Sequence, residues 1–379
     1  MDVDPIPLAQ ALIRCASVTP ADAGAQDVLA AALERLGFAI TRRRFGEVDN
    51  LFAKIGDGRP HLLFAGHTDV VPVGDAGAWS VDPFAAEVRD GMLMGRGAAD
   101  MKAAIAAMVA GVETHLSVHG TPKGAISFLI TGDEEGPAID GTVKMLTELA
   151  AQGERFDHCL VGEPTAVSRV ADTLKNGRRG SLNAVITVEG VQGHVAYPAD
   201  SKNPVGALLD LLAALRARRL DDGAPGFQPS NLEVTTIDVG NAAHNVIPAR
   251  ASAKLNIRFN TAHDGQDLKR WIEHEAARVA GAHGVTIETK IAVTGRAFYT
   301  EPERFIALVA GAAAAVTGYP AQLSTSGGTS DARYIKDYCP CAEIGLSNAT
   351  AHKVDERAPV EEVRTLARIY ARVLAEYFA

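Results

Sequence analysis

The order of periodicities constrains the fold of this chain more than any other feature. Strand-like and helix-like segments alternate, change character near residue 180, and resume their first style near residue 293. Apolar side chains recur at helical spacing over 25–36, and short β-rich runs follow at 38–42, 51–55 and 61–65. A helix is predicted over 101–116 behind a glycine-rich turn, then a buried strand over 125–130, a helix over 142–151 and a strand over 159–161. Alternation of this kind indicates helices covering a largely parallel sheet. The middle of the chain predicts a strand over 182–189, a helix opened by proline over 204–218, strands over 232–239 and 251–259, a helix over 267–280 and a strand over 285–291. That βαββαβ order is ferredoxin-like and buries one sheet face under two helices. A helix over 302–317, a short strand over 342–346 and a helix from about Val360 complete the chain. The expected architecture is an α/β domain of residues 1–179 and 294–379, with a central mainly parallel sheet, interrupted by a smaller α+β domain at 180–293.

Composition sets the outer limits. The 379 residues are 47% apolar and 22% charged, enough for two or three packed domains with little room for disorder. With 37 basic against 46 acidic side chains, the net charge of -9 argues against nucleic-acid or anionic-membrane partners, which call for a basic stripe. Taken at face value it also argues against an anionic substrate. The longest uncharged apolar stretches, 103–112 and 305–317, fall short of the ~20 residues a bilayer requires. The acidic start lacks the basic n-region of a signal peptide, and four cysteines make no disulfide framework, so a cytoplasmic protein is expected.

Chemistry concentrates where predicted elements end. Gly66-His67-Thr68-Asp69 closes the run 61–65, and alternate strand residues face one way, so His67 and Asp69 are expected on one side of the strand's C-terminal edge. Open α/β sheets place their sites at that edge. One H-x-D pair says little alone. Asp100 on the turn Gly95–Asp100, the run Asp133-Glu134-Glu135, Glu163 in Gly162-Glu163-Pro164, and His352 in Ala351-His352-Lys353 all fall at comparable junctions. Imidazole with carboxylates suits Zn²⁺, whereas an all-oxygen set suits Mg²⁺ or Ca²⁺. One such ion needs about three protein ligands, and two ions about 3.5–4 Å apart with a shared carboxylate would use the surplus. The adjacent Glu134 and Glu135 cannot easily aim at one ion, so one ligates while the other takes a proton. A carboxylate near pKa 4.3 faces a gap of about 11 units to bulk water, which a metal narrows to roughly 3. The pattern points to hydrolysis.

These motifs, in this order, resemble the co-catalytic zinc metallopeptidases of the aminoacylase and carboxypeptidase-G2 superfamily over nearly the whole chain. The matching stretches include Gly132–Ala138, Lys175–Ser181, Gly193–Pro198, His244–Pro248 and Ser326–Asp331. The resemblance implies that His67, Asp100 and Glu163 hold one zinc and that Asp100, Glu135 and His352 hold a second, with two Zn²⁺ per subunit and Co²⁺ or Mn²⁺ able to substitute. It further implies that Asp69 orients His67, that Glu134 is the general base, and that His194 reaches the partner's site in a homodimer formed through the inserted lid domain. One departure is Ala103, where the family carries glycine. The implied activity is hydrolysis of a linear amide, with N-succinyl-LL-2,6-diaminopimelate as substrate and N-acetylornithine as its rival. A substrate with three carboxylates asks for cations and neutral donors. Arg178 and Arg258 suit bidentate carboxylate recognition, with Ser181, Tyr197, Asn245, Thr329 and Asn348 as donors and Gly328 allowing close backbone approach. A non-catalytic metal-binding protein on the same fold would lack the base, and Glu134 is present.

Overall fold

A computed structural model describes residues 2–379, which separate into two compact units. The first runs to Gly177 and includes Thr300–Ser324 and Ser330–Ala379; the second is Arg178–Tyr299 with Thr325–Thr329.

The first unit is built on an eight-stranded mixed sheet. Its centre is parallel, in the order Ala125–Thr131, His61–His67, His158–Val161 and Cys341–Glu343. The first two of these strands are buried along their whole length, which suits a sheet covered by helices on both faces. An antiparallel hairpin, Ala39–Phe45 with Val48–Gly56, extends one side. The short strands Thr173–Lys175 and Gln322–Ser324 close the other. Helix Lys102–His119 is buried on almost every side from Lys102 to Val112. It packs so closely on the C-terminal helix Val360–Tyr377 that a Cβ on Gly111 would lie 2.8 Å from Tyr370 Cβ and 2.9 Å from the Ala367 carbonyl oxygen. Phe64 stacks on Phe128 at 5.3 Å and meets the Tyr370 ring edge-on at 5.7 Å, so aromatic contacts join this helix layer to the sheet.

The second unit is a four-stranded antiparallel sheet in the order Asn231–Asp238, Arg250–Phe259, Gly180–Glu189, Thr286–Gly295. Alternate residues Leu182, Ile186 and Val188 of one strand and Ala253, Leu255 and Ile257 of its neighbour are buried. They share a core with Leu208 and Leu211 of helix Pro204–Ala217 and with Leu268 and Ile272 of helix Gly265–His283. Each helix starts on a side-chain cap: Asn203 accepts the Val205 N–H and Asp264 accepts the Gln266 N–H.

Several local expectations shift. The helix expected from residue 302 begins at Phe305, and the strand expected over 342–346 ends at Glu343. The opening helix Ile6–Arg14 and a small sheet of Val88–Arg89, Met92–Met94 and Arg357–Pro359 are additions. Among the described residues, no helix is long and apolar enough to cross a membrane.

Candidate active site

The acidic and imidazole side chains of the first unit converge where its parallel strands end. His67 is the last residue of its strand, and Gly66 before it leaves room for Met101, whose Cε would lie 2.5 Å from a Cβ there. Glu134 and Glu135 follow strand Ala125–Thr131, and Glu163 follows strand His158–Val161. Asp100 ends the glycine-rich turn before helix Lys102–His119. His352 lies beyond strand Cys341–Glu343 in the left-handed region, at φ 62°.

Asp100 divides its two oxygens between the two histidines. Oδ1 lies 3.2 Å from His67 Nε2 and Oδ2 lies 3.3 Å from His352 Nε2. Glu135 Oε1 is 2.7 Å from His352 Nε2, and Glu163 Oε1 is 3.8 Å from His67 Nε2. Two three-residue sets each bring their donor atoms within 4.8 Å of one another: His67, Asp100 and Glu135, and His67, Glu134 and Glu163. The adjacent Glu134 and Glu135 therefore fall in different sets.

Asp69 lies past the end of the strand rather than on it. The nearer acceptor to His67 Nδ1 is the Asp69 main-chain carbonyl at 2.9 Å, with the carboxylate Oδ1 at 3.6 Å. The carboxylate instead accepts the N–H groups of Glu134, at 3.3 Å, and Glu135, at 3.0 Å. One residue thus orients the imidazole and holds the two-glutamate turn. Asp133 faces away and accepts the N–H groups of Ile139 and Asp140 at 2.8 and 2.9 Å.

The electrostatics show a cluster that needs positive charge. Burial raises the Glu134 carboxyl to about 8, helped by the charges of Asp331 and Glu135 and opposed by His67. Burial likewise lifts Asp69 to about 6, against the pull of His67. Burial disfavours the charged form of His67, but a hydrogen bond to Asp100 and the charges of Asp69 and Glu134 hold its pKa well above the ordinary value. Hydrogen bonds to Asp100 and Glu135 raise His352 to about 10. Burial alone would raise Asp100, yet its bonds to His352 and His67 hold it below the usual carboxylate range. The raised pKa values of the two imidazoles mark where positive charge is favoured, and a divalent ion there would supply it with both imidazoles neutral and ligating. The mixed nitrogen and oxygen donors and the shared Asp100 fit a metal centre of the zinc type.

The remaining candidates of the first unit reduce to Asn348, which is exposed, with its main-chain N–H on the Ala166 carbonyl at 3.2 Å. The second unit carries the rest. Arg178 donates to the Gly328 carbonyl at 3.0 Å. Ser181 is buried and pairs in register with Arg258, and its hydroxyl accepts from Asn256 Nδ2 at 3.3 Å. Thr329 is partly exposed beside the exposed Gly328. His194 and Tyr197 are exposed with ring centroids 5.6 Å apart, and the Asn245 carbonyl accepts the Val195 N–H at 3.1 Å. The His194 Nδ1 accepts the Ala196 N–H at 3.0 Å, which leaves the proton of a neutral ring on Nε2. Arg179 was not singled out by its motif. Its guanidinium, which donates to Asn231 at 3.0 Å, is lowered by burial and then by the charge of nearby Arg258. The doubled arginine Arg178-Arg179 is the sequence signal that could have found it.

A fold with this sheet and this cluster is that of the peptidase family M20/M25/M40, whose model matches residues 63–376, and the chain belongs to that family. A Caulobacter vibrioides protein named succinyl-diaminopimelate desuccinylase is 59% identical over 379 residues, covering 100% of this chain and 97% of that one. The protein of the same name from Maricaulis maris is 60% identical over 375 residues, covering 99% and 96%. Among solved structures, a Bacillus subtilis protein described as a dinuclear metal binding peptidase of the M20 family superposes with a TM-score of 0.73 at 17% identity, covering 98% of each chain.

Proposed function

We propose that this chain is a metal-dependent amidohydrolase that cleaves N-succinyl-LL-2,6-diaminopimelate into succinate and LL-2,6-diaminopimelate. The observation that carries the hydrolytic reading is the division of Asp100 between His67 and His352, with Glu134 close by and outside the set that includes Asp100. The substrate rests on the name shared by relatives that are 59–60% identical over nearly the whole chain.

His67, Asp100 and Glu163 would hold one zinc ion, and Asp100, Glu135 and His352 the other. When bound, the ions supply Lewis acidity toward the amide carbonyl and lower the pKa of water. Glu134 takes a proton from the attacking water and passes it to the leaving amine. Its burial favours proton retention between the two transfers. Asp69 fixes the ring of His67 through its carbonyl and the Glu134 turn through its carboxylate. Arg178 and Arg258 recognise substrate carboxylates, with Ser181, Tyr197, Asn245, Thr329, Gly328 and Asn348 as neutral partners.

A homodimer formed through the second unit belongs to the same reading. Strand Asn231–Asp238 is paired on one side only, an edge open to a second copy, and Ile237 and Leu209 are exposed there. His194 would present its Nε2–H to the oxyanion in the partner's site. Mixing His194→Ala protein with Asp100→Ala protein is expected to restore turnover in a fraction of the dimers. Absence of restored activity in mixtures shown to exchange subunits refutes the shared site.

The substrate is tested by comparing kcat/KM on N-succinyl-LL-2,6-diaminopimelate and N-acetylornithine. A preference of at least about 100-fold for the succinyl substrate is expected, since N-acetylornithine lacks two of the three carboxylates that the arginines would bind. Preference for N-acetylornithine overturns the substrate and leaves the amidase.

A further inference from the structure

The turn that carries Asp100 is closed by a carboxylate that no motif singles out. Glu356 is fully buried, and its Oε1 accepts three main-chain N–H groups, from Gly97 at 3.1 Å, Ala99 at 2.9 Å and Asp100 at 3.0 Å. Its Oε2 accepts from the Arg96 guanidinium at 2.6 Å. Arg96 is buried too, lies over the Trp79 ring, and donates to the carbonyls of Lys353 at 3.2 Å and Pro72 at 3.3 Å. The Gly95 N–H meets the Glu356 carbonyl at 2.9 Å, where Arg357–Pro359 pairs with Met92–Met94.

We propose that Glu356 and Arg96 are positioning residues that set Asp100 against His352, and so fix the carboxylate shared by the two metal positions; this rests on the metal-centre reading above. Three N–H groups that converge on one point favour an anionic acceptor, and the buried Glu356 carboxylate supplies it. The bonds join three segments of the centre: the Asp100 turn, the stretch after His352 and the stretch past Asp69. Glu356 lies four residues beyond His352 and holds the Asp100 N–H itself. Arg96 ties the residue after His352 to the segment just past Asp69. Stability alone explains the pair poorly, because a well-packed apolar replacement of a buried ion pair is often as stable or more so. What an apolar replacement cannot do is gather these N–H groups.

The test is zinc binding by the metal-free protein, read in competition with a chromophoric chelator. Glu356→Gln keeps the size but turns an amide N–H₂ toward either the three N–H groups or Arg96. The expected result is a folded variant whose zinc affinity is about 10–100-fold weaker, with faster hydrogen exchange at Gly97, Ala99 and Asp100. Combined with His352→Ala, its loss is expected to be smaller than the sum of the two single losses. Arg96→Lys, which keeps the charge and loses the fork to the carbonyls, is expected to weaken zinc several-fold. Wild-type affinity in folded Glu356→Gln, or losses that simply add, overturns the proposal. If Glu356→Gln does not fold, wild-type affinity in Arg96→Lys overturns it. A wild-type protein that takes up no zinc removes the metal-centre reading itself, an outcome distinct from a variant that binds as well as wild type.

Discussion

Glu134→Gln is expected to lower kcat by about 10³–10⁴-fold, or about 4–5 kcal/mol of transition-state stabilisation, while bound metal stays at the wild-type level. The geometry separates the two readouts. Glu135, not Glu134, lies against His352 at 2.7 Å, and while Glu134 falls in one donor set with His67 and Glu163, His67, Asp100 and Glu135 form another without it. The turn itself is held by main-chain N–H groups on Asp69, which a glutamine at 134 leaves in place. Glutamine fills the same volume and accepts hydrogen bonds but carries no transferable proton. Steady-state turnover measured beside elemental analysis of one preparation checks the result. Residual turnover above about a tenth of wild type with normal metal content would move the base elsewhere.

Much of this site was legible because its residues end regular elements. The apolar runs behind His67 and Glu134 are buried strands whose length and composition mark them, and helix Thr142–Ala151 has the limits its periodicity gives. In the second unit, the alternation of Gly180–Glu189 and Arg250–Phe259 reflects a sheet with one covered face. Strands of three residues, such as Thr173–Lys175 and Gln322–Ser324, carry no period and owe their existence to neighbours distant in sequence. Asp69 illustrates a second limit. Its contact with His67 is closest through the main chain, which every residue has, and its carboxylate serves a turn 65 residues away. Glu356 illustrates a third, since an acid in a loop has the same sequence signature whether it is solvated or closes a turn.

The net charge of -9 also reads differently once the carboxylates are located. Asp69, Asp100, Glu134, Glu135 and Glu163 gather about His67 and His352, so a large part of the acidic excess is local. Two divalent ions would offset about four of those charges. The sum over the chain therefore says little about the local field that an incoming carboxylate would meet.

Asp100→Ala is expected to cost more than the loss of any other single ligand, because one side chain serves both histidines. Its oxygens lie 3.2 Å from His67 Nε2 and 3.3 Å from His352 Nε2, whereas Glu135 and Glu163 each approach one imidazole. Removing Glu163 or Glu135 would leave two protein ligands at one metal position and three at the other. Removing Asp100 would leave two at each of the proposed positions, below the about three that a catalytic zinc site uses. Titration of the metal-free variant with Zn²⁺ is therefore expected to show both equivalents weakened by at least about 100-fold, with turnover at background. Asp100→Asn divides the effect. Its single carbonyl oxygen can serve one ion while its N–H₂ faces the other, so one equivalent should bind and the second should fail. Two equivalents bound at wild-type affinity in either variant would mean that Asp100 is not shared. The ordering Asn above Ala is specific to a bridging role, because a carboxylate that served one ion alone would leave the other equivalent intact in both.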